Sequence, residues 1–205
     1  MDDTVAIALF RHGLTEANKR HAYLGWTDSP LCSIEEEKLV RRTESYELIL
    51  SSDLGRCLKT TERLFPTCDP VRLSELREMH FGEWEGKTYD DLKDDFCYQK
   101  WLDALFTVKP PKGESFVEFS QRVGSGWEKI VERIMEENIH RAAVMTHGGV
   151  IRYYLTKYAP YVKDFWEWDV PHGRGYELIW KREGLRRGER CILLQEVPLM
   201  ASPNG

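Results

Sequence analysis

Several features that would indicate other classes of protein are scarce or missing in this sequence. Its five cysteines are scattered and form no Cys-x-x-Cys pair, which argues against a disulfide framework and against a zinc site. The net charge is −5, so no global positive field exists to hold nucleic acid or an anionic membrane. No glycine-rich nucleotide-binding loop follows the first apolar run. Any anionic ligand must therefore be held by a local cluster of cations.

Long hydrophobic runs are also missing from the amino-terminal region. The first apolar stretch, residues 5–10, has six residues and follows two acidic side chains, so it predicts neither a signal peptide nor a membrane span. Unpaired, scattered cysteines suit a reducing compartment. We therefore expect a cytoplasmic protein that binds neither membrane nor nucleic acid, and whose partner is a small-molecule substrate.

Apolar runs of strand length alternate with segments of helical pattern. Because these runs are apolar throughout, they indicate strands that are buried on both faces, as in a parallel sheet covered by helices. Strands are predicted at residues 5–10, 47–51, 71–73, 142–146, 176–181 and 191–197. Helices are predicted at residues 33–46, 54–65, 90–106 and 149–158, and one begins at 115. The pattern predicts an α/β three-layer sandwich with a mostly parallel sheet of about six strands.

The chain length is typical of one domain. A chain of 205 residues can bury a single sizeable core, so residues 1–205 are predicted to form one domain. Residues 80–114 have weaker periodicity and contain two adjacent prolines, and they are predicted to form a lid over one end of the sheet. Residues 201–205 are expected to be disordered.

Basic and imidazole side chains follow three of the predicted strands. Arg11 and His12 follow the first strand, Arg56 follows the second, and His147 with Gly148 follows the run at 142–146. The carboxyl ends of parallel strands meet at one edge of a sheet, where ligands bind. Arginine grips phosphate oxygens bidentately, and a helix that begins after His147 adds oriented N–H groups. The pattern predicts a phosphate pocket that needs neither a metal ion nor a cofactor.

Five segments, in this order, resemble the motifs of the histidine phosphatase (phosphoglycerate mutase-like) superfamily. They are LFRHGLTEANKR, SSDLGRCLKTTE, LREMHFGEWEG, PKGES and VMTHGG, and they span about residues 5–155. The segment LREMHFGEWEGKT is similar to the LxExxxGxWEG pattern of the small bacterial phosphatases, the broad-specificity and alpha-ribazole phosphatase-like branch. The resemblance implies the fold of that family and phosphoryl transfer as the reaction.

The resemblance also implies a role for each matching residue at the strand ends. His12 would attack phosphorus and form a phosphohistidine intermediate. Arg11, Arg56, His147 and Gly148 would surround the transferring phosphoryl group and neutralise the charge on its oxygens.

Two further roles come from the resemblance alone. Asn18 would add its side-chain amide to phosphate binding. Glu78 would protonate the leaving alkoxide and then accept a proton from the attacking water. Glu83 and Glu85 compete for that role by proximity in sequence, but both are expected to be structural carboxylates.

One segment near the end of the chain departs from the family pattern. Residues 171–174 read Pro-His-Gly-Arg, where relatives commonly have an Asn-Ser or Asn-Thr segment that lines the pocket. His172 and Arg174 are therefore candidates to face the substrate. Cys57, next to Arg56, is expected to turn into the core.

The predicted function is hydrolysis of a small phosphomonoester through a phosphohistidine intermediate. A cofactor-dependent phosphoglycerate mutase is the main alternative, although such mutases are typically longer than this chain. A non-catalytic phospholigand-binding protein is a second alternative, and the presence of both His12 and Glu78 argues against it. The pattern leaves the physiological substrate open.

Overall fold

The computed structural model describes residues 3–199, so the tail predicted to be disordered lies outside the described residues. This part of the chain has six strands: β1 (Thr4–Arg11), β2 (Leu48–Ser51), β3 (Val71–Arg72), β4 (Arg141–Thr146), β5 (Arg174–Lys181) and β6 (Leu193–Pro198). They form one sheet in the order β3-β2-β4-β1-β5-β6. The first four strands in this order are parallel, whereas β5 runs antiparallel to β1 and to β6. The prediction of a mostly parallel six-stranded sheet is confirmed.

Eight α-helices lie within the same residues. They are α1 (Glu16–Lys19), α2 (Ser33–Glu37), α3 (Gly55–Leu64), α4 (Tyr89–Leu92), α5 (Phe96–Asp103), α6 (Phe116–Glu136), α7 (Gly148–Tyr158) and α8 (Arg182–Arg186). The central strand β1 shows how they form layers. Its residues Val5, Ile7 and Leu9 pack with α6 and α7, whereas Ala8 and Phe10 pack with α3. Because successive side chains alternate between the faces of a strand, the helices cover both faces, and the three-layer sandwich is confirmed.

The helices predicted at residues 54–65, from 115 and at 149–158 correspond to α3, α6 and α7, and of these α6 begins at a side-chain cap. Ser115 accepts the backbone N–H of Glu118 and thereby starts α6. The capping box predicted at Ser33 is wrong, since Ser33 is already helical and Cys32, before it, makes no side-chain cap. That helix ends at Glu37, well short of residue 46.

Tertiary contacts explain the early end of α2. The N–H of Val40 donates to the carbonyl of Leu199, and the N–H of Arg42 donates to the carbonyl of Leu64. These donors serve other segments, so they are not available for a continued helix. The helix predicted at 90–106 is also divided, because Asp95 accepts the N–H of Tyr98 and starts a new helix, α5.

Residues 80–114 build an aromatic cluster of their own, which we call the aromatic lobe. Its buried members are Trp84, Leu92, Tyr98, Trp101 and Leu105. The hydroxyl of Tyr23 lies 2.7 Å from that of Tyr98 and ties the lobe to the chain after α1. The lobe is a hydrophobic cluster distinct from those on the two faces of the sheet. Its action as a lid, and the single-domain organisation of the whole chain, stay predictions.

Candidate active site

The ends of three parallel strands lie side by side at one edge of the sheet. Arg11 at the end of β1 is paired with Thr146 at the end of β4, and the N–H of His12 donates to the carbonyl of Thr146 at 3.0 Å. On the other side of β4, Ser52 donates its N–H to Met145. The sheet register thus brings the residues after these strands together, as the sequence predicted.

His12 is the central side chain of this edge. The imidazole is almost fully buried, and its Nδ1 lies 2.7 Å from the carbonyl oxygen of Gly13. A carbonyl oxygen can only accept, so Nδ1 holds the hydrogen and Nε2 holds the lone pair. Burial lowers the pKa of His12 well below its usual value, and the positive charge of Arg56 is the second largest cause. At neutral pH the ring is therefore uncharged and carries an unprotonated Nε2.

The guanidinium of Arg56 is buried in the first turn of α3. It donates to the carbonyls of Thr27 at 3.0 Å and Gly25 at 2.6 Å, and it contacts Asp28 at 3.3 Å. These contacts fix the plane of the guanidinium, while its Nε has no hydrogen-bond partner within residues 3–199. A fixed, buried cation with an unused N–H suits a bound oxyanion.

Arg11 stands on the other side of the pocket. Its Nη1 donates to the carbonyl of Val170, and its Nε, like that of Arg56, finds no partner in the described part of the chain. Burial lowers the pKa of Arg11 to about 10, so the side chain stays a cation at neutral pH. A Cβ at Gly148 would lie 3.3 Å from the Cζ of Arg11, so glycine there lets the guanidinium lie against the start of α7.

His147 precedes α7, and its ring centroid lies 5.1 Å from that of His12. Its Nε2 lies 2.9 Å from the hydroxyl oxygen of Ser52. Burial is also the largest cause that lowers the pKa of His147 well below its usual value, and the positive charge of Arg56 is the second largest. Cys57 is buried as expected, with its sulfur 3.5 Å from Nε2 of His147. Burial raises the pKa of the Cys57 thiol to about 12, so this cysteine is not a thiolate nucleophile.

The carboxylate of Glu78 faces the amino end of α7. Its Oε2 accepts the N–H of Gly149 at 2.9 Å, and its Oε1 accepts the N–H of Met79 at 2.9 Å. A Cβ at Gly149 would lie only 2.2 Å from Oε1, so only glycine admits the carboxylate at this position. Glu78 is therefore brought to the same helix start that borders Arg11 and His147.

A buried ion pair that the sequence did not indicate holds the backbone of Glu78. Arg122 on α6 donates to the backbone carbonyls of Glu75, Arg77 and Glu78, at 2.8 to 3.1 Å. It also makes two hydrogen bonds of 2.8 Å to the carboxylate of Glu114. Glu114 belongs to the PKGES motif, which was the one available signal that this region holds a functional segment.

Two other carboxylates near Glu78 have structural contacts. Glu83 is exposed and forms an ion pair with Lys112 at 2.7 Å. Glu85 accepts the N–H groups of Trp26 and Thr27, and so fixes the loop whose carbonyls hold Arg56. These are the structural roles expected from the sequence for both residues.

Asn18 has a structural contact as well. Its Oδ1 accepts the backbone N–H of Thr15 at 3.4 Å, which completes the capping box of α1, and it also accepts the hydroxyl of Thr15 at 2.8 Å. Its side-chain NH₂ makes no hydrogen bond within residues 3–199, so the amide retains a donor. A role of Asn18 in phosphate binding stays a prediction.

His172 and Arg174 have different surroundings. The ring of His172 lies 5.3 Å from that of His12, and its Nδ1 lies 3.0 Å from the backbone oxygen of His12. Arg174 is exposed and forms an ion pair with Glu196 at 3.1 Å. Because β5 is antiparallel to β1, the residues before β5 lie at the edge where β1 ends.

An apolar cavity of about 460 Å³ borders the carboxylate of Glu78. Most of its lining side chains are aromatic or aliphatic, and several belong to the aromatic lobe. The lining includes Tyr23, Met79, Phe81, Trp101, Leu102, Leu105, Phe116, Phe119, Phe165 and Trp166. Gly149 and Arg152 of α7 form the wall next to the pocket of Arg11. A group attached to a bound phosphate could extend from the basic pocket past Glu78 into this cavity.

The family model of the histidine phosphatase superfamily (branch 1) matches residues 7–188. The chain belongs to this superfamily. An adenosylcobalamin/alpha-ribazole phosphatase from Escherichia coli strain K12 is 33% identical over 153 residues, which cover 70% of this chain and 73% of that protein. The membership confirms the family that the five motifs indicated.

Solved structures of the superfamily have the same fold. The alpha-ribazole phosphatase from Shigella flexneri superposes with a TM-score of 0.78 over 96% of both chains, at 24% identity. A phosphoglycerate mutase from Thermus thermophilus has a TM-score of 0.67 and 30% identity, and the match covers 97% of this chain and 99% of that one.

The superfamily and its phosphatase members confirm the prediction of a phosphoric monoester hydrolase. Within residues 3–199, no helix is long and apolar enough to cross a membrane. No group of three metal-binding side chains lies together in the same part of the chain.

Proposed function

We propose that this superfamily member hydrolyses small phosphomonoesters in two steps, through a phosphohistidine on Nε2 of His12. The observation that supports it most directly is the state of the His12 imidazole. Its Nδ1–H donates to the carbonyl of Gly13, so the Nε2 lone pair points away from that bond. The guanidinium groups of Arg11 and Arg56 each have a buried Nε–H without a partner within residues 3–199, and these donors would bind the oxygens of a phosphoryl group.

In the first step, Nε2 of His12 forms a bond to phosphorus and the ester P–O bond breaks. The carboxyl of Glu78 gives its proton to the departing alkoxide, which is a poor leaving group without it. The cations of Arg11 and Arg56, together with the N–H groups at the start of α7, neutralise the charge on the phosphoryl oxygens.

In the second step, water attacks phosphorus from the side that the alcohol has left. Glu78, now a carboxylate, accepts a proton from that water, and the P–N bond breaks. The electron pair returns to Nε2 of His12, and the pocket is restored to its starting state. The position of Glu78 between the basic pocket and the cavity supports both of its roles, because the alcohol and the attacking water occupy the same side.

The cavity beside Glu78 supports a preference among alcohols. Its apolar, mostly aromatic lining would stabilise an alcohol that bears an aromatic or other apolar group, since burying such a group is favourable. We therefore propose phosphate esters of aromatic or apolar alcohols as the preferred substrates, ahead of esters of small polar alcohols. Within residues 3–199, Arg152 is the one cation that lines the cavity, and it could contact the carboxylate of a small sugar acid, but such an acid would leave most of this apolar surface without a partner, which favours larger apolar alcohols.

We also propose that the enzyme works in the cytoplasm. All five cysteines are free and three of them are buried, as expected of a protein made and kept in a reducing compartment. Cell fractionation, with antibody detection of the untagged protein, tests this location.

The function is tested by brief incubation with a ³²P-labelled ester and an alkaline quench, because phosphohistidine is labile in acid. Label is expected on His12, and none is expected on the His12→Ala variant, which should release no phosphate. His140→Ala is the matched control, since the side chain of His140 is exposed and lies near the carboxylates of Asp3 and Glu47. Normal turnover by His12→Ala would overturn the proposal, and interconversion of phosphoglycerates without phosphate release would favour the mutase.

A further inference from the structure

His172 has a single defined tautomer in the free enzyme. Its Nδ1 lies 3.0 Å from the backbone oxygen of His12, and a carbonyl oxygen can only accept a hydrogen bond. Nδ1 must therefore hold the hydrogen of the neutral ring, which leaves Nε2 as an unprotonated acceptor. Nε2 itself makes no hydrogen bond within residues 3–199.

The ring of His172 lies beside the imidazole of His12. His147 and His172 flank His12, with ring centroids 5.1 Å and 5.3 Å from its own. The charged and titratable groups that face His172 are His12 and Arg11, both at the end of β1. No carboxylate forms an ion pair or a hydrogen bond with it in the described part of the chain.

The unprotonated Nε2 of His172 would repel an anionic ligand bound next to it. A lone pair on Nε2 repels the oxygens of a phosphoryl dianion, unless a proton lies between the two atoms. The free enzyme does not hold that proton at neutral pH, because burial and the charge of Arg11 lower the pKa of His172 to about 4. A bound anion reverses this balance, since an opposite charge nearby favours the protonated imidazole.

We propose that His172 is a further phosphoryl-binding residue, which takes up one proton on Nε2 when an oxyanion binds and donates it in a hydrogen bond to an anion oxygen. The proton comes from solvent and returns to solvent, or leaves with phosphate, when the product departs. The inference rests on the proposed function only in using the same pocket. It also makes oxyanion binding weaker as the pH rises, because the required proton becomes scarcer.

The test is calorimetric titration of the enzyme with dilute tungstate at about pH 6.5, in two buffers of different ionisation enthalpy. Tungstate is a dianion without a proton at that pH, so every proton counted is taken up by the protein. His172→Asn is the informative variant, because a side-chain amide can donate both to His12 and to the anion without titrating. A bound dianion next to the ring can raise the pKa of His172 from about 4 to about 7. At about pH 6.5 the wild-type enzyme is therefore expected to take up about three quarters of a proton more per bound tungstate than His172→Asn, while the two affinities stay within about tenfold.

Two further variants complete the experiment. His172→Leu removes the donor altogether and is expected to weaken tungstate binding by about tenfold or more relative to His172→Asn. His140→Asn, at the exposed histidine, is expected to leave both affinity and proton uptake unchanged. Equal proton uptake by wild type and His172→Asn would overturn the proposal and assign the proton to His12 or Glu78. The proposal would also be overturned if a folded His172→Leu variant bound tungstate as tightly as the wild type does. Tungstate binding needs no turnover, so these outcomes are independent of the phosphatase assay.

Discussion

Replacement of Arg122 by Met tests whether the buried ion pair on α6 holds the Glu78 segment in place. Arg122 and Glu114 are both largely buried, with side-chain exposures of 18% and 10%. Methionine keeps the length and apolar stem of arginine, but it removes the donors to three backbone carbonyls and leaves the Glu114 carboxylate without its cation.

The magnitude follows from these contacts. Breaking a buried ion pair by removing one partner costs about 3–5 kcal/mol, and the residual exposure of this pair favours the lower end, about 3 kcal/mol. For a chain of this size, that loss lowers the melting temperature by roughly 6–12 °C. The carboxylate of Glu78 also loses its backbone support, so kcat for alkyl phosphates should fall by about tenfold or more. Inhibition by phosphate should change little, because the hydrogen bonds of Arg122 go to Glu114 and to backbone carbonyls of residues 75–78, and not to Arg11, His12 or Arg56.

Urea unfolding and steady-state kinetics of Arg122→Met measure both effects. Lys109→Met is the matched control, since the ion pair between Lys109 and Glu118 is half exposed and should contribute less than about 1 kcal/mol. The double variant Arg122→Met with Glu114→Leu should lose less stability than the sum of the two single variants, because no buried charge is left unpaired. The reasoning is refuted if Arg122→Met costs no more than Lys109→Met, or if the two single effects simply add.

Three further perturbations have defined outcomes. Glu78→Gln should slow phosphorylation of His12 by alkyl phosphates far more than by p-nitrophenyl phosphate, whose leaving group needs no proton; equal losses in rapid-quench assays would reassign the acid. Trp166 lies at the exposed part of the cavity lining, so Trp166→Ala should lower kcat/KM for naphthyl phosphate by about fivefold or more and leave kcat/KM for ethyl phosphate unchanged. Equal losses for the two esters would argue against the cavity as the alcohol site. The free energy of unfolding should fall as the pH drops from about 6.5 to 5, by up to about 1.4 kcal/mol per pH unit for each buried neutral histidine, because the unfolded chain binds those protons. His172→Asn should give a shallower slope in urea titrations, and an identical slope would contradict the low pKa of His172.

The parts of the fold that could be predicted from sequence are those that local chemistry decides. Strands such as β1 and β4 are buried on both faces, so their composition differs sharply from their surroundings. The start of helix α6 is marked by the side chain of Ser115. The early end of α2 could not be predicted, because it depends on carbonyls of Leu64 and Leu199 that are distant in sequence.

The residues of the candidate site also fall into those that the sequence indicated and those that it did not. Arg11, His12 and His147 follow parallel strands, and a rule about strand ends is enough to bring them together. His172 precedes an antiparallel strand, so only its departure from the family pattern drew attention to it. Arg122 lies in a helix of mixed charge, and nothing in its sequence surroundings distinguishes it from a solvated residue.

The separation of the aromatic lobe from the sheet has a consequence for the evolution of this enzyme. The buried lobe residues include none of the side chains that surround His12. Substitutions in α5, whose Trp101 and Leu102 line the cavity, would therefore reshape the proposed alcohol site without altering the side chains around His12. Chimaeras that exchange this segment between relatives should inherit the substrate range of the donor and the phosphorylation chemistry of the recipient, which makes the lobe the natural target for redirecting the enzyme to new esters.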